Sequence, residues 1–301
     1  MKLVCFNDDR LGVVKPDGSV CDVTHVAKGL PSHTVEELLE AVISNWKELG
    51  PAFGKEAEKG SGQALDSIRL LSSVPSPSKI MCYGLNFLEF GRTPPLDKDI
   101  FMKAPSAVLG SGGTVVLPPV DANLFYHEAE LGIVIGKPAS KLAKGAGMDA
   151  IFGYTNFLDV TARGLMPNGR NSFFTGKSWD TFAPMGPFLV TADEVGDPHK
   201  LHVKLWVNGV LRQDFPMSDI AYPISELVEY VSQVVTLKVG DVIATGTNHQ
   251  GLGALQHGDV AEQEINGLGK LRVHVEDPLR RSWPREPYQD LLDNALRFAK
   301  R

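Results

Sequence analysis

The sequence predicts a mainly β protein with some α structure, and three observations carry that reading. Residues 79 to about 276 hold mostly short apolar runs punctuated by Gly, Pro, Asn and Asp, the pattern of strands joined by turns. Residues 1–75 show three shorter strand signals followed by an amphipathic helical stretch. The 301 residues, 43% of them hydrophobic, suffice for one large domain or a large and a small one, with ample core. The expected division is a small N-terminal α+β domain over 1–75 and a larger domain over 76–301.

Taken in order, Val4-Cys5-Phe6, Leu11 to Val14 and Ser19 to Val23 read as strands broken by the turn sequences Asp8-Asp9-Arg10 and Pro16-Asp17-Gly18. Val35, Leu38, Leu39, Val42, Ile43 and Trp46 recur at helical spacing, with Thr34 as N-cap and Gly50 as stop. Gly54 to Gly62 reads as a polar linker. An apolar strand gives way at Gly84 to an irregular segment ending at Pro95, the kind of loop that closes over pockets. Tyr126 to Gly136 and Ile151 to Leu158 read as strands, Gly240 to Gly253 as a strand entering a glycine-rich loop, and Pro287 to Arg301 as a closing helix.

The net charge of −6, with no Lys/Arg-rich stripe, argues against nucleic acid or an acidic membrane as partner. No apolar run approaches a membrane span and no signal-peptide core opens the chain, so a soluble, cytoplasmic protein is expected. Cys5, Cys21 and Cys82 form no C-x-x-C pair, which fits reduced thiols and excludes a thiolate zinc site.

The most informative stretch is Tyr126-His127-Glu128-Ala129-Glu130-Leu131-Gly132-Ile133-Val134-Ile135-Gly136. Period-2 alternation puts Glu128 and Glu130 on one face, roughly 7 Å apart, where an otherwise apolar strand would not keep both ionised without a cation between them. Asp159 ends another β-prone run and is the best candidate for a third oxygen ligand, since hard cations such as Mg²⁺, Mn²⁺ or Ca²⁺ take several carboxylate and water oxygens. By itself a Glu-x-Glu pair is common on solvated edge strands. Lys177, in an aromatic and Gly/Pro-rich setting, is suited to a substrate carboxylate or enolate, although a lone loop lysine is more often solvated. Arg163 offers a bidentate fork for a carboxylate. The Gly240–Gly253 loop exposes N–H groups to an anion but matches neither a P-loop nor a dinucleotide fingerprint.

In order and over residues 79 to 276, these pieces resemble the fumarylacetoacetate hydrolase family. The resemblance rests on Gly84 to Phe87, Phe101 to Lys103, Glu128 to Gly136, Gly153-Tyr154, Asp159 to Arg163, Lys177 to Pro187, Val207 to Gly209 and Gly240 to Thr247. It implies a β-roll core with an added N-terminal domain, usually in a homodimer, and one Mg²⁺, Mn²⁺ or Ca²⁺ held by Glu128, Glu130 and Asp159. It implies chemistry on 2-oxo and β-diketo acids through a metal-chelated enolate, with Lys177, Arg163, Thr247, Tyr83 and Asn86 around the substrate. Carbon–carbon bond hydrolysis is expected first, then isomerisation, decarboxylation or dehydration, with a catalytically silent metabolite binder as the other class.

Three departures stand out. A His and a Glu three residues apart, the family's usual water-activating dyad in the lid, are replaced by Phe90 and Thr93. A Gln common three residues after the family arginine is Met166, and Thr-Gly-Thr-Pro becomes Thr245-Gly246-Thr247-Asn248, followed by His249. His249, with an unperturbed pKa near 6.5, and Glu89 in the lid are competing replacements for the missing base.

Overall fold

A computed structural model describes residues 1–8, 10–30, 34–89, 97–165 and 172–285. Its main element is a ten-stranded sheet. Strand Ala129–Ile135 runs antiparallel to Ile151–Leu158 on one side and to Val242–Ala244 on the other; Val242–Ala244 in turn pairs in parallel with Ile80–Gly84. All seven residues of Ala129–Ile135 are buried, which explains why their side chains are apolar on both faces except at Glu130. A five-stranded sheet built around the hairpin His202–Val207 and Val210–Pro216 packs nearby, and a short pair joins Leu124–Tyr126 to Thr161–Arg163.

The three N-terminal strands, Lys2–Phe6, Arg10–Val14 and Val20–Asp22, extend the main sheet, Lys2 opposite Val190 and Leu3 opposite Leu189. One hydrophobic cluster runs from Leu3 through Ile133 to Val275. The fold is thus mainly β with modest helix, as the sequence predicts.

Several local expectations are revised. Tyr126 to Gly136 is two strands, not one, interrupted at His127-Glu128 where the chain leaves the short pair and enters the main sheet. Thr34 does cap the first helix, its hydroxyl accepting from the Glu37 N–H at 3.3 Å, but the helix ends at Ser44. Asn45 stops it by donating its side-chain amide to Ala41 O at 2.8 Å. Gly50 lies inside a second helix, Trp46–Lys59, buried where any Cβ would meet the Trp46 ring at 2.9 Å; it is a packing residue, and most of the expected linker is helical. Helix Ile224–Val234 was not legible as such among strand signals. The closing helix over 287–301, and Phe90, Thr93 and Met166, lie outside the described residues.

Candidate metal centre

The chain turn at His127-Glu128 is what assembles the acids. Asp159 N–H donates to Glu128 O at 2.8 Å, so the residue that follows one central strand faces the residue that precedes its neighbour. Glu130 is two residues further, opposite Phe157. One carboxylate oxygen from each of Glu128, Glu130 and Asp159 lies within 4.8 Å of the others, and all three residues are buried.

Three cations surround them. Lys103, wholly buried at the end of strand Asp99–Lys103, is ion-paired with Asp159 Oδ1. Lys177 ends the helix Phe173–Lys177 rather than lying in an open loop, and its ammonium donates to Glu128 Oε2 at 2.6 Å, Asp159 Oδ2 at 2.6 Å and Thr161 Oγ1 at 2.7 Å. Arg163 Nη2 donates to Glu128 Oε1 at 3.1 Å, while its buried Nε has no partner among the described residues. The Phe-x-Lys segment flags Lys103 in the sequence only as part of a motif; its pairing with an acid 56 residues away has no local signature.

The electrostatics divide the acids. Burial would raise the Glu128 carboxyl, but Lys177 and Arg163 outweigh it and hold it at about 2. Burial depresses Lys177 and is overridden by Asp159 and Glu128, so the ammonium is held above its ordinary value. Glu130 is different: burial first, then the Asp159 charge, push it well above the carboxylate range. Its carboxylate accepts the Gly246 N–H at 2.8 Å and has no ion-pair partner among the described residues. A buried oxygen-only donor set with one carboxylate lacking an ion pair among the described residues fits a hard divalent cation, which Glu128, Glu130 and Asp159 would hold.

The glycine loop is brought against this centre by Gly246, whose φ of +84° and whose approach to Tyr83 O, 2.8 Å from where a Cβ would sit, admit only glycine. Gly251 likewise has φ +82° and lies against Arg212 O. Between them Gln213, fully buried on the neighbouring hairpin, uses its whole carboxamide. Oε1 accepts from Ala129 N at 3.1 Å and faces His127 Nδ1 at 3.2 Å; Nε2 donates to Thr247 Oγ1 at 2.9 Å and to Asn248 O at 2.7 Å. No motif in the sequence pointed to Gln213.

The remaining sequence-nominated residues fall in different places. His249 and Glu89 come together, Nδ1 to Oε1 at 2.6 Å. Thr247 is beside the centre, but its hydroxyl is engaged within the protein, donating to Ala129 O at 2.7 Å and accepting from Gln213 Nε2 at 2.9 Å. Asn86 is a structural clip, donating to Thr245 O at 2.9 Å and accepting from Tyr222 N at 3.3 Å. Tyr83 is not brought to the centre. The neighbouring Cys82 feels the Asp159 and Glu130 charges, while the Tyr83 hydroxyl, on the other face of the strand, donates to Leu227 O at 2.8 Å.

Comparison with known proteins agrees with this geometry. The profile described as "Fumarylacetoacetate (FAA) hydrolase C-terminal" matches residues 79–276. Oxaloacetate tautomerase YisK of Bacillus subtilis is 37% identical over 294 residues, 90% of this chain and 97% of that protein. Maleylpyruvate hydrolase of Aquipseudomonas alcaligenes is 34% identical, over 91% of this chain and 99% of its own. The crystal structure of maleylpyruvate hydrolase from Sphingobium sp. SYK-6, in complex with manganese(II) ion and pyruvate, superposes with a TM-score of 0.83 at 34% identity, covering 92% of this chain and 99% of that one. With its buried acidic triad in place, the chain belongs to the fumarylacetoacetate hydrolase family.

Proposed function

We propose that this protein is a divalent-metal-dependent enzyme that moves a proton on a small 2-oxo acid, its reaction being keto–enol tautomerisation. The observation that carries the reading is Glu130: a buried carboxylate beside two others, the one member of the triad with no ion pair among the described residues. A Mg²⁺ or Mn²⁺ held there, with Ca²⁺ a further option, supplies electrophilic stabilisation for negative charge developing on a 2-oxo oxygen.

The protein's own groups do the rest. Arg163, with a buried unpartnered Nε, offers a donor to a substrate carboxylate. Lys177 exchanges one of its three protein bonds for a substrate oxygen. Tautomerisation needs a proton carrier at carbon and no water as reactant, which suits so enclosed a set of acids. Two tautomerases, from Bacillus subtilis and Xenopus laevis, match 90% of the chain.

Carbon–carbon bond hydrolysis of a β-diketo acid is the second reading, and the two maleylpyruvate hydrolases favour it. No helix among the described residues is long and apolar enough to cross a membrane. The same reading has the enzyme working as a cytoplasmic homodimer, a state that light scattering on the purified protein tests. The deciding experiment gives Mg²⁺- or Mn²⁺-supplemented enzyme oxaloacetate, acylpyruvates and 2-hydroxydienoates, follows the enol by its ultraviolet absorbance and identifies products by mass. Accelerated enol–keto interconversion without mass change supports the first reading; cleaved products support the second; neither, across the set, rejects both.

A further inference from the structure

The proposed proton transfer needs a group that can accept and return a proton, and the sequence offers His249 and Glu89 as rivals. The structure joins them. Glu89, whose side chain is fully buried, accepts the His249 backbone N–H through Oε2 at 2.5 Å and lies against the ring Nδ1 through Oε1 at 2.6 Å; the His249 side chain keeps 13% exposure. An ionised carboxylate only accepts hydrogen bonds, so the proton in that contact belongs to Nδ1, and Nε2 carries the free lone pair. Both partners are rooted beside the acids. Asn86, three residues before Glu89, is bonded to Thr245 O, and Asn248, next to His249, is bonded through its carbonyl to Gln213. The charged groups set near the imidazole are Glu89 against the ring and Glu128 of the triad, whose carboxyl is held low in part by His249.

We infer that Glu89 and His249 form one acid–base unit in which His249 Nε2 is the catalytic proton carrier and Glu89 is its positioning residue. The inference rests on the 2-oxo acid chemistry proposed above. In the forward step the substrate C3–H bond breaks, its electron pair becomes the C2–C3 double bond, and the C2=O π pair moves onto oxygen. The proton forms an Nε2–H bond, and the resulting imidazolium faces the Glu89 carboxylate. Delivery of that proton to the oxygen completes the enol; its return to C3 restores the ketone.

Two measurements test the unit. On the metal-free protein, ¹⁵N NMR of the histidine rings should show His249 as the Nδ1–H tautomer, lost or mixed in Glu89→Gln. An Nε2–H tautomer in the wild type overturns the inference directly, whatever the variants do. With Mg²⁺ added, pyruvate in D₂O serves as probe, and mass spectrometry follows deuterium entering C3. His249→Gln should slow exchange about 100-fold or more. Glu89→Gln should slow it less, in step with the loss of the Nδ1–H tautomer, because the ring loses the acceptor that fixes its proton. Wild-type exchange that survives in His249→Gln overturns the unit but leaves the proton-transfer reading standing. An unchanged tautomer and exchange rate in Glu89→Gln overturn the role of Glu89, and no exchange in the wild type overturns both unit and reading.

Discussion

Gln213 Nε2 donates to Thr247 Oγ1 at 2.9 Å, so a residue of the five-stranded sheet holds the glycine loop, while the same carboxamide holds the metal strand through Ala129 N–H. All four hydrogen-bonding positions of the amide are used, which is the most a glutamine can make.

Replacing Gln213 with Leu strands four buried partners, each worth about 1–3 kcal/mol when left unsatisfied. The expected result is a drop in thermal midpoint and a loss of at least about tenfold in kcat/KM, because the loop is no longer registered on the strand. Gln213→Glu keeps the acceptors but not the two donors and should damage Thr247 and Asn248 placement alone. Equal activity in all three proteins would remove Gln213 from the positioning of the site.

Glu130 sets a pH dependence with a definite sign. Its folded pKa is raised, so the stability it contributes is fully present below the ordinary carboxylate range and is lost as pH rises through the raised value. Glu130→Gln escapes that loss: without metal it should be more stable than wild type at pH 8, and with Mn²⁺ the order should reverse. Denaturant midpoints at pH 5 and pH 8, with and without Mn²⁺, check both halves, and calorimetry should find tight Mn²⁺ binding abolished.

His127 acts in the opposite direction. Burial pushes its imidazole down to about 4, so it is neutral in the folded protein, and its contribution is present above the unfolded value near 6.5 and lost as pH falls toward 4. That loss is on the order of 3 kcal/mol. His127→Asn retains an N–H for Gln213 and removes the titration, so its stability should fall less between pH 7 and pH 4.5 than that of the wild type. Parallel acid sensitivity in urea unfolding would assign the effect elsewhere.

Lys177→Met leaves Glu128 and Asp159 short of a counter-charge. The metal-free variant should lose about 3–5 kcal/mol, the usual cost of breaking a buried pair. Mn²⁺ should bind it at least as tightly as wild type and recover much of that stability, whereas turnover should fall roughly 100-fold. Wild-type kcat/KM on the true substrate would exclude Lys177 from the chemistry.

The triad was legible because its signal is local: two acids in a run otherwise fit only for burial, and a third acid where another such run stops. Helix Trp46–Lys59 was misread for a related reason, since Gly50 is a helix stop by propensity and a ring-packing residue in fact. What the sequence could not show is pairing at long range. Glu89 and His249 are 160 residues apart, and Lys103 and Asp159 are 56 apart. Tyr83 was misplaced because nothing within its strand says which face looks toward the acids; Cys82 does, and only the fold reveals it.

Strands Ile80–Gly84 and Val242–Ala244 run in parallel with Cys82 opposite Ala244, so the segments that follow them leave the sheet side by side at the same end. A change of length beyond Glu89 or Gln250 would therefore leave the roots, and the carboxylates beneath them, where they are. Such a chassis separates changes of length in the chain from the placement of the three buried acids.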